Sequence, residues 1–418
     1  MAAFYDVIVY LLAYIGLYLL AFYLLSYWGS RRIKLPEGRD DFFVSIIIPA
    51  YNEERSIART IESAMGIDYP KDKLEIIVVD DGSKDKTYEC ALAFRKQGVR
   101  VFTKPNGGKG AALNLGISKA RGDLILSMDA DTFAEPSSLK QMVAYFGDKN
   151  MMAVSAGPRV YRPRTIWQRI QHAEYYLGLF LRRTFSSLNA LYITPGAFSL
   201  YRKTFFDKYG GYDEGNITED LEIALRIQSY DYGIAYAPKA SFFTIAPGRF
   251  KELLYQRRRW YTGLIKNLWA YRNRIFGRRR GALGTIIIPS MLIGTILSVA
   301  SVIYLVTHIV QKVGKQLGAL KAINFQFASA HELNSYLFSQ IFYSLFSHPI
   351  FLITMFFILV SGFYLVYARY QLKFKEPLLI NFVLFLSIYS LLFAFWWIVS
   401  SFYLLFNRRV HWGVKRET

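Results

Sequence analysis

Asp129 and Asp131 stand one residue apart, directly after the apolar run Leu124-Ile125-Leu126-Ser127-Met128. Two carboxylates at that spacing on a turn can chelate one hard cation, and such a cation usually also holds a phosphate. The alternative is a pair of acids that only caps a turn. Gly107-Gly108-Lys109-Gly110 lies between a strand pattern and a helix pattern. Backbone amides at a helix N-terminus bind phosphate there, and Lys109 adds a point charge; a plain glycine turn is the alternative. The segment is not a P-loop, because Gly110 follows the lysine where Ser or Thr is needed. It also fails the dinucleotide fingerprint, because Leu113 occupies the last glycine position.

Asp80-Asp81-Gly82-Ser83 follows a second apolar run. One acid aimed into a site can accept from a base or ribose donor group, while the other caps the turn. Thr218-Glu219-Asp220 opens a helical stretch. These are ordinary helix-start residues, or one acid is a general base that deprotonates a hydroxyl nucleophile. In Gln256-Arg257-Arg258-Arg259-Trp260 the Gln and an Arg can reach donor phosphates, which leaves the Trp face free to stack on a sugar. Three arginines can also simply meet lipid.

These residues need elements to hold them. Residues 44–48, 74–79, 99–103 and 124–128 are predicted strands, alternating with predicted helices over 53–65, 86–97 and 110–120. That alternation predicts a parallel α/β sheet with ligands beyond the carboxyl ends of its strands, where the acidic clusters fall. Residues 166–192 and 250–271 mix arginines with aromatics and are amphipathic without being apolar enough to span a bilayer. They are expected to be helices at the membrane interface, with core helices of the soluble domain as the alternative.

The 418 residues are 53% hydrophobic and 20% charged. That is too apolar for an ordinary soluble enzyme and too charged for a pure membrane bundle. The expected organisation is a transmembrane helix with a basic flank (1–34), a cytoplasmic catalytic domain (43–247), an interfacial helix (248–280), further transmembrane helices (281–406) and a basic tail (407–418). Residues 7–28 are long enough to cross a hydrocarbon core of roughly 30 Å. They are too long for a signal peptide and lack its basic n-region. Arg31, Arg32 and Lys34 then put the next domain in the cytoplasm. Residues 283–310, 350–367 and 378–406 are expected spans. The short run 333–346 decides the side of the tail, and its crossing would make Arg408 and Arg409 cytoplasmic. The net charge of +20 sits in basic clusters beside apolar segments, which fits anionic lipid rather than nucleic acid. A sole cysteine, Cys90, excludes an internal disulfide and a thiolate metal site, and the five histidines lack zinc-ligand spacing.

Together, Val44-Ser45-Ile46-Ile47-Ile48-Pro49-Ala50-Tyr51-Asn52-Glu53-Glu54, Asp80-Asp81-Gly82-Ser83, Gly108-Lys109-Gly110 to Asn114, Asp129-Ala130-Asp131, Thr218-Glu219-Asp220 and Gln256 to Trp260 resemble the membrane-embedded family 2 glycosyltransferases. These include the synthases of cellulose, chitin, hyaluronan and poly-N-acetylglucosamine. The resemblance implies an α/β, GT-A-type, Rossmann-like nucleotide-sugar transferase domain with interfacial helices, inserted between transmembrane helices. It implies inverting transfer of a sugar from a nucleotide diphosphate, usually UDP, to a hydroxyl, with Mg2+ or Mn2+. By the same resemblance Tyr51, Glu53, Asp80 and Asp81 serve the nucleoside and Lys109 the diphosphate region. Asp129 lies near the nucleotide and, with Asp131, serves the metal. Asp220 is the base, Gln256 and Arg259 bind the pyrophosphate, and Gly196, Glu219 and Trp260 face the acceptor. The implied product is a polysaccharide made processively by a multi-pass plasma-membrane protein. Single glycosylation of a lipid acceptor, as in ceramide glucosyltransferases, is the alternative. A catalytically idle membrane scaffold is a second alternative, disfavoured because every site residue is present. A two-acid glycoside hydrolase would leave the Gly107–Gly110 and Asp129–Asp131 elements unexplained.

Overall fold

Strand β1 (Val44–Ala50) is buried at every position. It lies between β2 (Leu74–Asp80) and β4 (Leu124–Met128) and pairs with both in parallel. A strand flanked on both edges and covered on both faces is stable only as a continuous apolar run, and β-branched Val and Ile suit it. Ile46, Ile47 and Ile48 are fully buried, each contributing roughly 1.5–3 kcal/mol. Helix α4 (Lys109–Lys119) lies against β1. It approaches closely because Gly116 has no side chain; a Cβ there would sit 2.3 Å from Ile47 Cγ2.

The structure is a computed structural model that describes residues 2–30, 35–276, 281–322 and 378–406, with scattered positions from 355 to 366. It contains two compact units, Met1–Leu24 with Ser290–Ile398 and Leu25–Pro289 with Val399–Thr418. In the second unit the remaining elements, in chain order, are α2 (Ile57–Met65), α3 (Thr87–Leu92), β3 (Arg100–Thr103), β5 (Thr132–Ala134), α5 (Ser138–Val143), β6 (Met151–Val160), α6 (Ile166–Ser187), β7 (Phe198–Arg202), α7 (Lys203–Tyr209), α8 (Glu219–Ser229), β8 (Gly233–Thr244) and α9 (Phe250–Ile275). The sheet order is β3-β2-β1-β4-β7-β6-β8-β5.

The parallel sheet expected from the sequence is its first half only. β7 runs antiparallel to both β4 and β6, and β5 antiparallel to β8, so the whole sheet is mixed. The second half is masked in the sequence by its own irregularity. β6 contains Gly157 and Pro158, β8 contains Pro238 and Lys239, and the β6–β8 register slips between Met151 and Ala153 and between Ser155 and Gly157. Bulges of this kind break the apolar alternation that marks a strand.

Apolar helices make up the rest: α1 (Ala2–Ser30), α10 (Ile288–Ala322), entered through a π-helical turn at Leu283–Ile287, and α11 (Leu378–Leu405). Among the described residues one stretch, Leu283–Ala300, is long and apolar enough to cross a membrane by length and composition. The run 333–346, almost all of 350–367, and the basic clusters at 31–34, 278–280 and 407–418 lie outside the described residues.

Candidate active site

The ends of β1 and β4, the start of α4 and the face of α9 border an open cleft of about 350 Å³. Tyr51, Glu53, Lys109, Asp129, Asp131, Gln256 and Arg259 line it. Asn52, just past β1, holds a left-handed backbone (φ 55°), which Asn tolerates. Its side-chain oxygen accepts from Lys84 N–H at 2.8 Å, and its own N–H donates to Ser83 at 3.0 Å. This ties the first two strand ends together beside Tyr51 and Glu53.

Asp80 and Asp81 are not brought to the cleft lining. Asp80 accepts from Ser83 N–H and from the Thr103 hydroxyl (2.9 Å), which caps the turn. Asp81 accepts from Gly107 N–H (3.0 Å), Gly108 N–H (2.7 Å) and Lys104 Nζ (2.9 Å). Its carboxylate therefore orders the glycine turn that launches α4 and sets where Lys109 begins.

Lys109 is buried between strand and helix. Its ammonium lies 2.6 Å from Asp129 Oδ1 and 3.0 Å from Glu219 Oε1. Burial pushes its pKa down, but Asp129, Glu219 and Asp220 together more than reverse this and raise it, so the side chain stays charged. It joins the end of β4 to the start of α8. Gly196 makes that junction possible: a Cβ there would lie 2.6 Å from Lys109 Nζ. The Gly196 N–H donates to Asp220 Oδ2 at 3.1 Å, and the Thr194 hydroxyl donates to Asp220 O at 3.0 Å. Asp220 is half-buried. Burial and neighbouring Glu219 raise its pKa, against Lys109, the Gly196 amide and Arg259.

The arginines of α9 separate, as helical rotation requires. Arg259 lines the cleft, with Nη1 donating to Ile217 O at 3.3 Å. Arg257 is buried away from it, paired through both guanidinium ends with Glu174 of α6 at 2.6 Å. Its guanidinium carbon lies 4.4 Å from the ring centre of Trp260, so it braces that indole rather than a phosphate. Arg258 lies over Tyr255 and Tyr403. Trp260, Gly196, Glu219 and Asp220 are outside the cleft lining itself.

Gln168, Glu252, Tyr255 and the loop 245–248 also line the cleft, and the sequence reading missed them. Gln168 and Gln171, three apart on α6, donate to Ala246 O and Pro247 O, both at 2.9 Å, and so hold the loop. Helical spacing carried the missing signal: Glu252 is four residues before Gln256, and Tyr255 four before Arg259.

Among the described residues no three Asp, Glu, His or Cys side chains gather as a metal cage. The donor set still suits Mg2+ or Mn2+. These hard cations commonly take one or two carboxylates and complete their shell with phosphate oxygens and water. Asp131 and Asp129 both sit on the cleft wall, where one Asp129 oxygen is engaged by Lys109.

A mixed α/β sheet of GT-A-like form, with strand-end acids facing an arginine-bearing helix, defines the class. Residues 45–210 match Glycosyl transferase family 2. The chain is 31% identical over 236 residues to a poly-beta-1,6-N-acetyl-D-glucosamine synthase of Staphylococcus epidermidis, covering 54% of this chain and 57% of that protein. A synthase of the same name from Staphylococcus aureus (strain COL) is 30% identical over 225 residues, covering 53% and 54%. The matches thus span little more than half the length of these relatives. A solved mannosyltransferase from Pyrobaculum calidifontis, in complex with GDP-Man and Mn2+, superposes with a TM-score of 0.55 at 21% identity. That match covers 88% of this chain and all of that one, and shows a shared fold.

Proposed function

We propose that the chain is an inverting glycosyltransferase that moves a sugar from a nucleotide diphosphate donor to a hydroxyl acceptor, building a polysaccharide at a membrane. The observation that carries this is the convergence of Asp129, Asp131, Lys109, Gln256 and Arg259 on one cleft, with Asp220 held beside it through Lys109 and Gly196. The similarity to poly-beta-1,6-N-acetyl-D-glucosamine synthases supports a UDP-linked N-acetylhexosamine as the donor to try first.

In this reading Tyr51 and Glu53 hold the nucleoside, and Gln256 and Arg259 bind the pyrophosphate. Asp131 and Asp129 would hold Mg2+ or Mn2+, which when bound would supply positive charge beside the leaving diphosphate. Asp220 takes the proton from the attacking hydroxyl as the anomeric carbon inverts. Trp260 offers its ring to the acceptor sugar. Membrane embedding is supported by Leu283–Ala300 and by large apolar side chains exposed on α1, α10 and α11, such as Leu25, Ile296 and Leu405.

The test is nucleoside diphosphate release by the purified protein in detergent with Mn2+ or Mg2+ across a panel of UDP- and GDP-sugars, followed by sizing of the product. Release with one sugar and a long polymer is expected. One sugar per lipid molecule, with no polymer, would replace this reading by a lipid glycosyltransferase. Silence across UDP- and GDP-sugars would overturn it.

A further inference from the structure

Helix α9 does more than carry Gln256 and Arg259. Four of its residues at four-residue spacing, Arg259, Gly263, Asn267 and Tyr271, meet α8 or the segment leading into it, as one stripe on a helix must. Arg259 donates to Ile217 O. Gly263 lies so close to Thr218 that a Cβ would stand 2.2 Å from Thr218 Oγ1. Tyr271 donates its hydroxyl to Glu222 Oε1.

Asn267 is the centre of the stripe and is 3% exposed. Its Nδ2 donates to Asn216 Oδ1 at 3.1 Å and to Thr218 Oγ1 at 3.0 Å, and its Oδ1 accepts from Asn216 Nδ2 at 2.8 Å. Asn216 Oδ1 in turn accepts from Thr218 N–H at 3.1 Å. A buried amide is costly unless bonded, and these bonds all go to an irregular segment with no sheet or helix ladder of its own. That segment ends where α8 begins, one residue before Asp220.

We infer that Asn267 is a positioning residue for Asp220: it fixes the first turn of α8 against the helix that carries the cleft arginine, so that base and donor-side groups keep one separation. This rests on the glycosyl-transfer reading above. Misplacing a base by about 1 Å can cost on the order of 100-fold in rate. The residue should therefore act on turnover and leave donor affinity alone.

The experiment compares the full chain with Asn267→Leu, which keeps volume, Asn267→Asp, which loses the donation to Thr218, and Tyr271→Phe, which loosens the same interface one turn further from the base. Melting temperature, UDP affinity with Mn2+, and kcat and KM for the donor are measured on each. For Asn267→Leu, kcat should fall about 10-fold or more with KM and UDP affinity within about twofold; Asn267→Asp should lie between it and the parent. Tyr271→Phe should lower the melting temperature but hold kcat. Equal kcat losses in Tyr271→Phe and Asn267→Leu at matched melting temperatures, or unchanged kcat in both Asn267 variants, would overturn the inference alone. Absence of turnover in the parent protein would overturn the glycosyl-transfer reading and this inference with it.

Discussion

Asp220 can act as a base only while deprotonated, and its surroundings pull on that state in both directions. Burial and Glu219 raise its pKa, Lys109, the Gly196 N–H and Arg259 lower it, and the balance is upward. The transfer rate should therefore rise with pH along an acid limb placed above the ordinary carboxylate range. Asp220→Asn should cut turnover about 100- to 10,000-fold and abolish that limb while UDP still binds; substantial turnover in the variant would remove Asp220 from the role. Asp131 is a separate question, because Asp129 is already engaged by Lys109. Asp131→Ala should reduce UDP affinity in Mn2+ to its metal-free value, as calorimetry with and without chelator can read; an unchanged metal effect would sink the chelation proposal. That Asp129, Asp131, Gln256 and Arg259 would gather at one site was legible in their residue types and order, and they share one cleft. Side-chain direction was not legible. Nothing in Asp80-Asp81-Gly82-Ser83 says that Asp81 turns toward the amides of Gly107 and Gly108, and nothing in three successive arginines says which one faces Glu174.

Elements hold these groups through a few buried polar junctions, and helix α6 carries one that titrates. His172 is 1% exposed and packs edge-on against Tyr176, with ring centroids 4.6 Å apart. Burial lowers its pKa from 6.5 to about 4. A depressed folded pKa means that the unfolded chain takes up the proton first as pH falls. The stabilisation is complete above about 6.5 and is lost between there and about 4, by on the order of 3 kcal/mol in all. His172→Phe keeps the ring and removes the titration. Its melting temperature should be flatter with pH across that window than the parent's, and an identical slope would show that His172 is not the group responsible. The helix itself was legible from its mix of arginines and aromatics, but its end at Ser187 rather than residue 192 was not. The same division holds for the sheet. β1, β2, β3 and β4 announce themselves as short apolar runs, whereas β6 and β8 depend on pairing across bulges that only the folded neighbours can supply.

At the scale of the whole molecule, 51 basic against 31 acidic residues leave a charge of +20, on a chain whose helices also expose large apolar side chains. The cleft takes up Lys109 and Arg259 but not the rest of that excess. Arg272 and Arg274, exposed in the last turn of α9, stand on a helix whose composition fits a headgroup layer. Near an anionic surface each such residue contributes about 1 kcal/mol, and the attraction decays within a Debye length of about 8 Å at physiological salt. If this charge serves the membrane, donor turnover in nanodiscs should be higher with anionic lipid than with a zwitterionic lipid of the same chain length. The difference should shrink as salt is raised, while UDP affinity in the cleft changes little. Arg272→Gln with Arg274→Gln should weaken the lipid preference without touching donor KM, because neither residue lines the cleft. A lipid effect that survives high salt, or one that both substitutions leave intact, would assign the basic excess to something other than the bilayer surface.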